Sequence, residues 1–350
     1  MRFGLIGYGA WGTHHASAIV KTPGTTLDAI AAPSEASAGA AARDHPVAAI
    51  YRDYRQLLER SDLDAVAIVV PNHLHEEIGV AALVAGKDVL LEKPMAPTVE
   101  GCDRLIAAAA ASGRVLSIGH EFRLSTQWGR IKALLDAGDL GTPLYALASL
   151  FRFPYRRGSE SWRYARERVG SWILEEPVHF FDSFMWYFER WGDPVSVLAV
   201  GSDKGREPGM ADNFSAIVRF PGSLYAVITQ TLAGFEHHHV IEVVGTEGAV
   251  RGAWSGTMDR TRTPTFDLRV QRHGESESVR LTLAPSGELF ELEEELRQTV
   301  AAFRARRPLV SGEEAKKRIL VCLEAERSLR EGRELTLAFG PARMSAPPQT

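Results

Sequence analysis

Phe3-Gly4-Leu5-Ile6-Gly7-Tyr8-Gly9-Ala10-Trp11-Gly12 stands almost at the start of the chain. A short apolar strand runs straight into G-x-G-x-x-G, and residues 14–20 continue as an amphipathic helix. Strand, glycine turn and helix in that order are what a dinucleotide-binding βαβ unit requires. Gly7 permits the tight turn, Gly9 lets the backbone approach a pyrophosphate, and Gly12 lets the helix pack on its strand. Ala10 and Trp11 complete the loop. The N–H groups and dipole at the helix start then favour phosphate charge.

Working outward, strands are expected at residues 26–31, 50–51, 65–70, 88–91 and 115–119. Between them lie helical stretches at 36–44, 54–60, 74–85 and 99–112. Pro71 stops one strand, and Gly86 and Gly113 end two helices. This alternation predicts a doubly wound parallel sheet over residues 1–120, an α/β domain of the Rossmann type. The rhythm then changes. After a helix at 125–137, strands are expected at 143–153, 195–200, 214–220, 224–232, 240–244, 266–271 and 278–283. Tight turns such as Pro221-Gly222 separate several of them, so an antiparallel meander in a second, α+β domain is expected over 121–340. Helices at 288–305 and 312–331 close it, and residues 341–350 read as a frayed tail.

The 350 residues are 45% hydrophobic and 24% charged, an ordinary globular balance, with a net charge of −4 that leaves no basic footprint for nucleic acid. The two cysteines, Cys102 and Cys322, form no C-x-x-C pair, which fits a reduced, cytoplasmic setting and two buried thiols. Residues 1–6 already read as a strand, so no secretory leader is expected. No apolar run approaches the roughly 18 residues of a membrane span.

Ligands of open parallel sheets sit at the carboxyl ends of the strands. Besides the glycine loop, two motifs fall there. Pro71-Asn72-His73-Leu74-His75 follows the strand 65–70, with Asn72 either a helix cap or a cofactor contact. Glu92-Lys93-Pro94 follows the strand 88–91. A lysine there is placed to hydrogen-bond a substrate hydroxyl and stabilise developing negative charge, and Pro94 is a candidate cis residue.

The three motifs, in this order and spacing, resemble the Gfo/Idh/MocA oxidoreductases over residues 1–337. The resemblance implies a Rossmann domain followed by a domain with a large, mostly antiparallel sheet. It also implies NAD(P)-dependent hydride transfer at a secondary alcohol of a sugar, inositol or related polyol or glycoside. The family's second-domain motif, an acid four residues before a histidine, matches Glu175 and His179 within Glu175-Glu176-Pro177-Val178-His179. Glu175 stands where aspartate is common and Pro177 where glycine is frequent. If the stretch is one helix, Glu175 and His179 share a face, with Glu176 as the alternative acid. His179 is then the acid/base and Lys93 polarises the same oxygen.

The cofactor is expected to touch Gly7, Gly9, Ala10, Trp11, Gly12, Ala32, Ser34, Pro71, Asn72, His75, Glu92 and Lys93. The substrate is expected to draw on Lys93, Glu121, Arg123, Arg152, Tyr155, Trp162, Arg163, Glu176 and His179. Ala32 occupies the place where a carboxylate would hold the ribose of NAD, and Ser34, Ser37 or Arg43 are placed to meet a 2′-phosphate. The expectation therefore leans slightly to NADP or dual use. Arg152, Arg156, Arg157, Arg163, Arg166 and Arg168, interleaved with Phe153, Tyr155, Trp162 and Tyr164, read as a lip over an anionic or glycosidic sugar. The other reading is a solvated loop neutralised by acids such as Asp139, Asp203 and Glu207. His237-His238-His239 does not make a metal site, because alternate strand residues point oppositely and no further ligand completes one; Glu236 to His239 instead reach toward the active-site mouth. A G-x-S-x-G elbow is absent, so serine hydrolase chemistry is not suggested. Two other readings stay open: a glycosidase or lyase working through a 3-keto intermediate on tightly held NAD, and a non-catalytic NAD(P)-binding sensor. A homodimer or homotetramer is expected, with the strand 224–232 as a candidate contact.

Overall fold

Strand β1 (Arg2–Ile6) buries Phe3 and Leu5 on one side and Ile6 on the other, each at most 2% exposed. A strand apolar on both faces belongs inside a parallel sheet covered by helices on both sides. In the computed structural model, which describes residues 1–152, 155–203, 209–234, 236–258 and 260–339, β1 takes that place. It lies between β2 (Thr26–Ala31) and β4 (Ala65–Ile68), with β3 (Ala49–Tyr51), β5 (Asp88–Glu92) and β6 (Leu116–Gly119) further out. The order is β3-β2-β1-β4-β5-β6 and every pair is parallel. Strand order reverses at β1 and β4, so a crevice opens above their carboxyl ends. Helices α1 (Gly12–Lys21), α2 (Glu35–Asp44), α3 (Tyr54–Leu58), α4 (His75–Val84) and α5 (Val99–Ser112) make the crossovers. Local chemistry sets their ends: Thr98 accepts from Gly101 N–H to start α5, and Gly113 at φ +63° ends it.

The chain then forms α6 (Trp128–Asp136), β7 (Pro143–Arg152) and three helices, α7 (Arg166–Val169), α8 (Trp172–Glu175) and α9 (Val178–Tyr187). Strands β8 (Ser196–Ser202), β9 (Asn213–Arg219), β10 (Tyr225–Thr231), β11 (His237–Gly245), β12 (Gly248–Gly256), β13 (Thr265–Arg272) and β14 (Val279–Arg280) follow. Helices α10 (Glu288–Arg304) and α11 (Gly312–Glu331) and the short β15 (Leu335–Thr336) complete the fold. Among the described residues the second sheet has nine strands in the order β14-β13-β12-β11-β7-β10-β9-β8-β15. It is mostly antiparallel but not a plain meander: β7, earliest in sequence, inserts centrally and runs parallel to β10.

One face of this sheet packs on helices, the other is open. Along β7, Ala146, Ala148 and Leu150 are buried while Tyr145, Leu147 and Phe151 are half-buried. Helix α10 crosses back to the first domain, where Leu292, Leu296, Val300 and Phe303 join Phe3, Leu5 and Ile19 in one cluster. Burial of side chains of this size stabilises by about 1.5–3 kcal/mol each. A capping box at Ser311 and Glu314 starts α11.

Several element limits differ from the sequence expectation. β11 begins at His237, the strand expected at 278–283 shortens to two residues, and β12 and β15 went unforeseen. β12 hides because Gly252 interrupts its apolar pattern. A Cβ there would lie 2.6 Å from the Trp128 ring, which packs directly on the strand. Phe153, Glu207 and the tail 341–350 fall outside the described residues.

Candidate active site

The turn after β1 is shaped by three glycines with different constraints. Gly7 has φ +101° and a Cβ would stand 2.1 Å from the Val69 carbonyl oxygen; at Gly12 it would stand 2.1 Å from that of Gly7. At Gly9 a Cβ would meet nothing within 4 Å. The first and third glycines are therefore demanded by the protein, and the second leaves open room for a ligand. Trp11 at the start of α1 makes no side-chain capping bond and the first turn carries no acid. The open space at Gly9 together with the dipole of α1 suits a pyrophosphate. The residues present thus fit a dinucleotide.

This loop forms one end of a cavity of about 500 Å³ that continues between the two domains. Its walls include Gly7, Gly9, Ala10, Trp11, Gly12, Ser34, Pro71, Asn72, Glu92, Lys93, Glu121, Arg152, Trp162, Arg163, Glu175, Glu176 and His179. Four expected residues lie elsewhere. Ala32 is fully buried behind Pro33 and Ser34, which do face the cavity. His75 is sequestered between the carbonyls of Pro94 (2.7 Å) and Val70 (2.9 Å), bracing the turns that carry Lys93 and Asn72. Arg123 pairs with Asp182 (2.9 and 2.6 Å) and Glu314 (3.0 Å), and Tyr155 packs against Tyr164 and Trp172. His75 and Arg123 hold the scaffold, and Ala32 and Tyr155 pack outside the cavity walls.

Lys93 projects from the end of β5, and its peptide bond to Pro94 is cis. Its Nζ donates to the Glu175 carbonyl oxygen at 2.8 Å. Burial opposes its charge, yet Glu175, Glu176, Glu121 and Glu92 around it raise its pKa, so it is a firm cation. Asn72 Nδ2 donates to the Val169 carbonyl (2.9 Å) and to Glu175 Oε2 (3.3 Å). The strand-end residues of the first domain are thus pinned to the second.

Glu175 and His179 do not share one helix. Pro177 has no N–H to donate to residue 173, and α8 ends at Glu175 before α9 begins at Val178. The two side chains consequently face different partners. Arg163 Nε donates to Glu175 Oε1 at 2.6 Å; despite burial, Lys93 and Arg163 lower the Glu175 carboxyl to about 2. Glu176 pairs with Arg152. His179 stacks on Phe122 (centroids 4.5 Å, 21°), with Nε2 at 3.7 Å from Glu121 Oε1. Burial, followed by the charge of Lys93, pushes His179 well below the ordinary imidazole range, leaving it neutral.

Four arginines of the lip meet carboxylates, Arg166 through Glu326. Arg152, Arg163 and Arg168 pair with Glu176, Glu175 and Glu160, while Asp139 pairs with Arg272. His237 and His239 face the cavity and His238 the opposite side, stacked on Phe151. Among the described residues no group of three or more His, Cys, Asp or Glu side chains is arranged for a metal ion. Sequence reasoning missed Phe122 and Arg260 as walls. Arg260 lies over the Trp11 ring at 4.4 Å, yet nothing local in a loop so distant in sequence signals it. Arg52 was missed too: it donates to the Pro33 carbonyl at 2.9 and 2.6 Å, beside Ser34.

Residues 1–120 match the oxidoreductase family with an NAD-binding Rossmann fold, and residues 128–251 match the GFO/IDH/MocA C-terminal domain. The chain belongs to the GFO/IDH/MocA oxidoreductase family. It is 30% identical over 295 residues to inositol 2-dehydrogenase 4 of Saccharopolyspora erythraea, covering 80% of this chain and 84% of that one. It is 28% identical to the 1,5-anhydro-D-fructose reductase of Ensifer adhaerens, covering 79% and 82%. A solved levoglucosan dehydrogenase superposes with a TM-score of 0.84 over 97% of this chain and 99% of that one; at 21% identity it shows the shared fold. This oxidoreductase is a dehydrogenase of the CH–OH class with an NAD-binding Rossmann domain. No helix among its described residues is long and apolar enough to cross a membrane.

Proposed function

We propose that this oxidoreductase transfers a hydride between NAD(P) and a secondary alcohol of a sugar, inositol or related polyol, with His179 as acid/base and Lys93 polarising the oxygen. The observation that carries the reading is one cavity joining the open backbone at Gly9 to Lys93 and His179. When bound, the nicotinamide supplies the hydride acceptor or donor. In alcohol oxidation His179 takes the hydroxyl proton, and Lys93 favours the alkoxide character of the same oxygen. Glu175 holds Lys93 through its carbonyl and Arg163 through its carboxylate, so it orients the site. Because Arg152, Arg163 and Arg168 at the cavity meet carboxylates, a neutral sugar or polyol suits it better than an anionic one. Trp162 offers an aromatic face for sugar C–H groups.

At the adenosine end, Pro33, Ser34 and Ser37 line the cavity with no carboxylate among them. Arg52 stands beside them, which supports NADP or dual use. The open sheet face, with Leu147, Ile217, Val227 and Val240 half-buried, supports a homodimer or homotetramer. The kinetic test is Lys93→Met and His179→Ala. Each is expected to lose about 10²–10⁴-fold in turnover while still quenching on cofactor binding. Wild-type turnover in either variant removes that residue from the scheme.

A further inference from the structure

We infer that the acid–base group of this site is a pair, in which Glu121 holds the proton that His179 Nε2 exchanges with the substrate oxygen. The inference rests on the dehydrogenase reading above and deepens it. Glu121 follows β6 in the 3-10 turn Glu121–Leu124 and forms a cavity wall while only 5% exposed. Its Oε1 lies 3.7 Å from His179 Nε2, and its Oε2 has no hydrogen-bond partner. Such contacts lengthen in ligand-free sites and tighten around a bound substrate.

The surroundings decide where the proton rests. Facing Glu121 are Glu92 at the end of β5, Glu295 and Glu288 on α10, Lys93 and His179. Burial first, then Glu92 and Glu295, push the Glu121 carboxyl well above the ordinary carboxylate range, against the pull of Lys93. Facing His179 are Lys93, His120, Arg152, Asp182 and Glu121; burial and the cations hold its imidazole neutral, with Asp182 opposing. Glu121 Oε1 and His179 Nε2 stand 3.7 Å apart on one cavity wall, so a proton exchanged between them belongs to the pair.

The step balances in both directions. In ketone reduction the carbon takes a hydride from the reduced nicotinamide. Its oxygen takes the proton from Nε2, and the Glu121 carboxyl has supplied that proton to Nε2. In oxidation the hydroxyl proton passes to Nε2, on to the Glu121 carboxylate and out to water. Oxidation therefore requires the pair deprotonated, and its rate rises through the pair's pKa rather than through that of an isolated histidine.

The experiment compares wild type, Glu121→Gln and Glu121→Asp in two ways. Infrared difference spectra of the free protein across pH should show a carboxylic-acid C=O band at neutral pH that Glu121→Gln lacks. The pH midpoint of kcat/KM for oxidation should fall by about one unit or more in Glu121→Gln, since His179 then titrates alone; Glu121→Asp should keep the wild-type midpoint. A merely structural glutamate would lower rates without moving the midpoint. Loss of no acid band in Glu121→Gln, or an unchanged midpoint, overturns the inference. Absence of turnover in the wild type would sink the dehydrogenase reading instead, and the infrared arm would still decide the proton's location.

Discussion

Gly7 and Gly9 are two residues apart and answer to different masters. Gly7 is fixed by the protein, through φ +101° and the Val69 carbonyl; Gly9 faces open space. Gly7→Ala is expected to destabilise the fold by about 1–3 kcal/mol, the usual scale for enforced backbone strain, measured by urea unfolding. Gly9→Val should leave the unfolding midpoint near wild type and abolish cofactor binding, measured by fluorescence titration. Equal loss of stability in both would show that Gly9 serves packing. At the ribose end, Ser34→Asp keeps a good helix cap while adding a charge that repels a 2′-phosphate. It should weaken NADP at least tenfold relative to NAD, and no change in that ratio would remove Ser34 from the adenosine site.

Among elements, the segment from α8 to α9 shows what was legible and what was not. The grouping of Glu175, Glu176 and His179 was readable, and all three face the cavity. Their geometry was not, because Pro177 breaks the helix that would have aligned Glu175 with His179. The same limit applies to Arg123, whose partners Asp182 and Glu314 come from elements remote in sequence. Asp182 also takes Arg318 Nε at 2.9 Å, so Asp182→Asn removes the carboxylate that two buried cations share. It should cost about 3–5 kcal/mol, read from the denaturant midpoint. Glu175 adds a pH dependence. Its carboxyl is lowered from the ordinary 4.5 to about 2 in the folded state, so its stabilising effect is full above the unfolded value and is lost as pH falls toward the folded one. The stability gap between wild type and Glu175→Gln should therefore be complete above about pH 4.5 and close on acidification toward about 2. A gap that does not narrow would contradict the clamp.

At the scale of the whole molecule, the parallel sheet was the most legible part. Its short apolar strands and glycine-ended helices repeat a local rule that needs no distant partner. The second sheet was read less well, since the central place of β7 depends on pairing with β10 and β11, some 80 residues later in the chain. That sheet leaves one face open, and Val227→Asp at its middle should turn a homo-oligomer into a folded monomer by analytical ultracentrifugation. Both domains meet at Lys93, Asn72 and Glu175, beside the proposed site of hydride transfer.

The most direct test of that placement is the absorbance of reduced nicotinamide on mixing the protein with inositols, sugars, glycosides and sugar acids, each with NAD and with NADP. Formation of reduced cofactor with at least one neutral polyol or sugar, lost in Lys93→Met and His179→Ala, is the expected result. Silence across the panel, from protein that binds neither cofactor, would contradict the account.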